Sequence, residues 1–326
     1  MKKKKIILFV LVLTLILSFS CKKPTVPKAG KAGVDDMLNF LPRQAQGIIF
    51  LNVQKVATTK LFDKATTEES EKAENYQKFI KEWGIDPKKD VYFLAVAITG
   101  KLDPKEKPDA VVVANLKYNK DLILANLKEE ELNIEEEDYQ GITIYSGIDE
   151  KNEKTKMAFL NESNIALGAD TPLKAVIDLS RGKGENIRKN EQLMALLKDV
   201  NQEAFLWGGF LVPKKAMEEA AAKNPQAKIF ESIEAATFFV DYDKLNYSGQ
   251  VSLMSKNEAQ NKQIADLLNG FKAMFGMGKS QDEDIQELLN SINISSGPSG
   301  VKVAVQLSEN LLTRLEEKSK KEKEAE

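Results

Sequence analysis

The sequence predicts an α+β fold, built from two-layer units in which a sheet lies under helices. Three observations carry this. Short apolar runs of strand length alternate with longer stretches whose apolar residues recur at helical spacing. Pairs of β-rich runs are joined by turns, as antiparallel hairpins are. The order strand, helix, strand, strand, helix, strand in the first half of the chain returns in the second.

Each element has its own signal. Gly47 to Val53 is an apolar run of strand length, and Thr58 to Trp83 reads as helix. Gly84 and Pro87 stop that helix, one by tolerating a left-handed backbone and the other by lacking an amide proton. Val91 to Ile98 and Ala110 to Leu116 form a hairpin, then Asn119 to Glu131 a helix and Ile142 to Tyr145 a strand. Lys156 to Leu160 and Asn164 to Leu167 turn through Asn161, Glu162 and Ser163. Thr171-Pro172 opens a helix whose face carries Leu173, Val176, Ile177 and Leu179 and which ends near Gly182, and Asn190 to Val200 is a further short helix.

The second half begins with the strand Ala204 to Val212 and the helix from Pro213 to about Lys223. Ala235 to Tyr242 and Tyr247 to Met254 form a hairpin. Asn257 to Phe275 is a long helix with Ile264, Leu267, Leu268 and Phe271 along one face. After a short helix from Asp282 to Leu289, the hairpin Ile292–Ser295 and Val301–Leu307 turns through Ser296 to Gly300, and a charged tail frays after Leu315. The expected divisions are a leader at 1–20, a tether at 21–33, the two halves at 34–187 and 188–315, and a tail at 316–326.

The beginning of the chain carries a different message. Lys2 to Lys5 precede the apolar run Ile6 to Leu17, broken only by Thr14, and Leu17-Ser18-Phe19-Ser20 leads into Cys21, the sole cysteine. A basic head, a short apolar stretch and small residues before a cut form a secretory signal, and the run is too short for the ~20 residues of a membrane span. A cysteine just after the cut resembles the acceptor of a bacterial lipoprotein signal, although Ser18 and Phe19 depart from the usual aliphatic-then-small pattern. The resemblance implies lipidation at Cys21, anchoring the chain to a membrane through acyl chains worth ~0.8 kcal/mol per buried methylene. Lys22 stands where a retaining aspartate would be, so in a two-membrane cell using that rule the expected place is the outer membrane. The wider expectation is the cell envelope, with a Pro- and Gly-containing tether lifting the body off the bilayer.

Composition removes many functions. Cleavage after Ser20 takes four of the 47 basic residues and leaves 43 against 49 acids, a formal charge of −6. Such a surface is poorly suited to nucleic acid. There is no histidine anywhere. Ser-His-Asp and Cys-His devices and the usual zinc sites are therefore absent, and no cofactor is expected.

Part of the chain resembles a loosely defined group of uncharacterised exported bacterial proteins. The residues that carry this are Phe40 to Ala45, Ile165 to Gly168, Lys174 to Asp178, Asn190 to Leu197, and Phe205-Leu206-Trp207. The resemblance implies a folded exported module and no particular activity.

Several constellations have two readings. Ala273 to Ser280 fits a relaxed phosphate-loop pattern, but that loop needs a strand before it and a helix after it, and an amphipathic helix comes first here. In the same segment Phe271, Met274, Phe275 and Met277 either complete a core or form a contact patch for an adaptable partner surface. Glu135 to Asp138, Asp282 to Asp284 and Asp241 to Asp243 lack the spacing of a calcium loop and read as solvated faces, turns or helix starts. Trp83 and Trp207 suit packing better than sugar stacking. The resulting expectation is a lipid-anchored binding or scaffolding protein, not an enzyme, with an unknown envelope protein as partner. The alternatives are a carrier for an apolar small molecule or lipid, and then a carboxylate-based hydrolase.

Overall fold

The computed structural model describes residues 33–67, 71–100, 109–129, 134–148, 154–278 and 282–324. The leader, Cys21 and nearly all of the tether lie outside them. The described residues form an α+β protein whose strand pairs are antiparallel, in two compact units, residues 33–194 and 195–324.

The first unit contains strands β1 (Gly47–Asn52), β2 (Val91–Thr99), β3 (Asp109–Leu116), β4 (Glu135–Tyr139), β5 (Ile142–Ile148), β6 (Lys154–Asn161) and β7 (Asn164–Gly168). Its helices are α1 (Val34–Leu38), α2 (Val53–Val56), α3 (Lys60–Thr67), α4 (Glu71–Trp83), α5 (Pro87–Asp90), α6 (Lys120–Glu129) and α7 (Asp170–Ser180). Neighbouring strands run β1-β2-β3-β7-β6-β5-β4. Registers Ile48↔Ala97↔Val111 and Phe50↔Ala95↔Val113↔Ala166 put a fully buried row of mixed large and small side chains on one face. Lys156, which shares this face with Ala158, pairs with Asp170 and Lys174's partner Glu137, so α7 lies on it with Leu173, Val176 and Ile177 buried. Gly168 is required there, because a Cβ would collide with the Ala110 carbonyl and sit 2.7 Å from the Val111 Cα. Helices α4 and α6 pack together through the Asn126 amide on the Glu82 carbonyl, burying Phe79, Trp83 and Ile123.

Helix α8 (Glu191–Leu196) leads into the second unit. This unit contains β8 (Leu206–Leu211), α9 (Lys214–Lys223), β9 (Ala235–Asp243), β10 (Asn246–Met254), α10 (Glu258–Gly278), α11 (Glu283–Asn290), β11 (Ile292–Gly297), β12 (Gly300–Ser308) and α12 (Glu309–Glu324). Its strand order is β8-β9-β10-β12-β11. That matches β1-β2-β3-β7-β6 place for place, so the two units repeat one topology and the first adds the hairpin β4–β5. The sequence order strand, helix, strand, strand, helix is therefore matched in space as well as along the chain.

Three expectations are corrected. The acidic run Glu135 to Asp138 is not a turn or helix start but the outermost strand of the first unit. It is a strand because Gln140 and Gly141, with φ of 57° and 73°, make the left-handed two-residue turn that folds it back on β5. The long helix runs three residues past Phe275, and the charged tail stays helical to Glu324 instead of fraying after Leu315. Arg314 and Lys318 hold that tail to Asp282, Asp284 and Glu287 of the α11 region.

Candidate functional site

The second unit's sheet has two unlike faces. Strand registers place Phe210, Phe238, Val251, Leu253, Val301, Val303, Ile292 and Ile294 on one side; the other carries Ser252, Lys302, Ser295, Gln250 and Asn293 toward β11 and Trp207, Phe239 and Leu211 toward β8. The apolar side is covered in part by α10. Ile264, Ala265 and Leu268 of that helix pack with Ile233, Leu253, Val301 and Ile294. Cover is incomplete: Val251 is 45% exposed, and the stacked Phe210 and Phe238 rings, 5.9 Å apart, are half-buried.

Helix α10 is fixed along its length. Asn257 Oδ1 accepts the Gln260 amide at 3.1 Å and starts the helix. Asn261 donates to the carbonyls of Ser255 and Gly297 at 3.1 and 2.9 Å. Further on, Lys272 Nζ donates to the Ile292 carbonyl at 2.6 Å, and Gln286 to the Gly276 carbonyl at 3.0 Å. These bonds hold one flank of the helix and leave the next flank bare. Phe271, Met274 and Phe275 stand at i, i+3 and i+4, one surface ridge, with exposures of 53, 60 and 52%; Met277 beside them is 74% exposed.

Thus the four residues of the candidate patch come together on one helix end, at the surface and not in a core. Sequence reasoning missed Val251 and Leu245, the latter 52% exposed at the β9–β10 turn. The alternation Tyr247, Gly249, Val251, Leu253 carried a signal for the sheet residues, because it matches Val301, Val303 and Val305 on the neighbouring strand. Cys21 lies outside the described residues.

The remaining constellations resolve into structural uses. Glu137 holds Lys174 and Lys156 at 2.7 and 3.2 Å, and those two ammonium groups depress its pKa in that order. Asp170, paired first with Lys156 and then with Lys174, is likewise held below the usual carboxylate range. Hydrogen bonds from Lys318 to Asp282 and from Arg314 to Asp284 lower the pKa of each acid. Among the described residues no group of three or more potential ligands is placed to hold a metal ion. Gly276 and Gly278 occupy the last turn of α10, where carbonyls and the negative end of the helix dipole meet a ligand, the wrong polarity for phosphate. Trp83 and Trp207 are 1 and 2% exposed and cannot stack on a sugar. A recess of about 270 Å³ beside the β11–β12 turn is lined by Ser252, Ser295, Ser296, Ser299, Leu253 and Lys302 among others. No helix among the described residues is long and apolar enough to cross a membrane.

Fold and site together define an α+β protein whose two units share a strand order and whose second unit displays an exposed apolar ledge. The chain belongs to the family described as "Protein of unknown function (DUF3352)", which matches residues 93–318. Three crystal forms of TP0453 are similar to it in structure. Form I aligns with a TM-score of 0.47 and 11% identity over 86% of this chain and 96% of that one. For form III the values are 0.46 and 10%, over 84% and 95%. For form IV they are 0.43 and 12%, over 85% and 95%. No curated protein matches the chain in sequence.

Proposed function

We propose that this chain is an exported, lipid-anchored protein of the cell envelope that works by holding a protein partner, without catalysing a reaction. The observation that carries the reading is the ridge of Phe271, Met274 and Phe275, more than half exposed on a helix that is otherwise pinned in place. Exposing several large apolar side chains together costs solubility, and contiguous patches of this kind mark contact surfaces. Methionine adds adaptability, since its unbranched, polarizable side chain refits to varied partners. Anchoring through Cys21 would set the location and the helix ridge would set the contact.

The test is photo-crosslinking of the full chain in its native envelope, with a photoreactive residue at Met274. A discrete protein adduct that disappears in the Phe271→Glu, Phe275→Glu variant is the expected result. Adducts to lipid alone would replace the partner reading with the carrier reading. Fatty-acid labelling that survives Cys21→Ala would refute the anchor.

A further inference from the structure

The outer strand of the second unit has the form of an interface that awaits its other half. β11 pairs with β12 on one side and ends the strand order of its unit. The Gln306 amide donates to the Ser291 carbonyl, which sets the alternation along the pair. Backbone groups of Asn293 and Ser295 therefore face β12, while those of Ile292, Ile294 and Ser296 face away from it. The Ile292 carbonyl takes Lys272 Nζ and retains a second lone pair.

Apart from Lys272 on the Ile292 carbonyl, the devices that usually blunt such an edge are missing from the strand itself. Residues Ile292–Gly297 contain no charge and no proline, and their register with β12 has no bulge. The contrast is β4, the last strand in the first unit's order, where Glu135, Glu136, Glu137 and Asp138 would repel an incoming acidic strand.

The repeat indicates what belongs beside β11. Its counterpart β6 is covered on the outer side by β5. That covering strand begins Ile142-Thr143-Ile144-Tyr145-Ser146-Gly147, and β11 itself reads Ile292-Asn293-Ile294-Ser295-Ser296-Gly297. The two agree in both isoleucines, the second serine and the glycine. β11 thus has the sequence of a strand that covers this topological position, and among the described residues the second unit has no such strand of its own.

We propose that the place filled by β5 in the first unit is filled in the second by β11 of another copy of this chain, as an antiparallel pair about a two-fold axis at Ile294. In that register Ile294 faces its own counterpart, Ile292 faces Ser296, and Asn293 faces Ser295. The isoleucines extend the apolar face of the sheet, the polar residues meet on the other face, and no like charges oppose one another. This inference stands apart from the ridge on α10 and does not rest on the partner proposed for it.

Cysteine scanning of the full chain in membranes tests it, with the wild-type chain and its sole Cys21 as background. Directly hydrogen-bonded residues in an antiparallel pair lie about 5.5 Å apart at Cα, within disulfide range. On oxidation Ile294→Cys is expected to give a covalent dimer, and Ile292→Cys, which faces Ser296 and not itself, to give none. Asn293 and Ser295 are exposed, so Asn293→Lys with Ser295→Lys leaves the fold intact while opposing two lysine pairs across the axis. That variant is expected to weaken the solubilised dimer about tenfold at low salt, and Asn293→Lys with Ser295→Glu to restore it. Equal cross-linking at 292 and 294, a monomer by native mass spectrometry, or a dimer indifferent to the lysine pair would each overturn the proposal. None of these outcomes depends on adducts at Met274, so this proposal and the partner proposal fail separately.

Discussion

The two units share a topology and differ in how they finish it. In the first, Phe50, Phe79, Trp83, Ile48, Ile85, Ile123, Ile144 and Ile165 are buried almost completely. In the second, Trp207, Ile264, Val301 and Leu311 are buried as completely, while Leu245, Val251, Phe271, Met274, Phe275 and Met277 stand exposed. The first unit adds the β4–β5 hairpin and packs helices α4 and α6 together. Among the described residues the second has no matching hairpin, and α10 covers only part of its apolar sheet face. One topology thus serves as a closed body in one unit and as a surface with unsatisfied apolar area in the other. Burial drives stability, and the first unit carries most of the large buried side chains and the second most of the exposed apolar area.

The strongest way to break this comparison is to truncate a phenylalanine in each unit. Phe79→Ala, which removes a ring packed 6.5 Å from Trp83, is expected to cost about 3–5 kcal/mol in urea unfolding. Phe275→Ala should stay within about 0.5 kcal/mol, as surface changes do. Equal losses would mean that the ridge belongs to a core after all. Glycines give the next effect. Gly168→Ala drives a methyl into the Ala110 carbonyl and should destabilise by about 1–3 kcal/mol. Gly270→Ala, in the interior of α10 with open space around it, should instead stabilise by about 0.5–1 kcal/mol. A third comparison sits at the turns. The β4–β5 turn uses Gln140-Gly141, whereas the β9–β10 turn puts Lys244 and Leu245 at φ of 48° and 67°, a backbone that leucine adopts at a cost. Leu245→Gly should raise stability by about 1 kcal/mol, read from the thermal midpoint.

The smallest effect is electrostatic and touches both units. Glu137 and Asp170 in the first, and Asp282 and Asp284 in the second, have folded-state pKa values below their unfolded ones. Their pairing stabilises above the unfolded carboxylate pKa of about 4 and is lost as pH falls through the lower folded values. Protection factors for hydrogen exchange at β4 and along α12, taken relative to the intrinsic amide rate at each pH, should therefore be unchanged from pH 7 to 5 and fall below about pH 4. Since Glu137 and Asp170 are nearly half exposed, the change at β4 should be modest and salt-sensitive. In Lys156→Met the acid-dependent step at β4 should shrink while that at α12 stays.

Much of the fold was legible because local signals agree with it. The stop at Gly84, with its left-handed φ of 64°, and Asp86 capping the Lys88 amide before Pro87 mark one boundary by backbone chemistry alone. The β9–β10 and β11–β12 hairpins were readable from paired β-rich runs. β4 was not, because four acids in five residues give no apolar alternation; what makes it a strand is pairing with β5 and the lysines that hold Glu137. The last helix was misjudged for a similar reason. Its charges look like a solvated tail until Arg314 and Lys318 meet acids some thirty residues away in the chain.

The candidate patch shows where the division falls. Sequence alone determined that Ile264, Leu268, Phe271, Met274 and Phe275 lie on a wide apolar side of a helix, since periodicity depends only on 3.6 residues per turn. It equally determined the basic and apolar start before Cys21. Only the tertiary structure decided that Ile264 and Leu268 meet a sheet and that Phe271, Met274 and Phe275 do not. A helix wheel records which side is apolar, but burial needs an opposing surface, and that surface is supplied by strands paired across long stretches of chain.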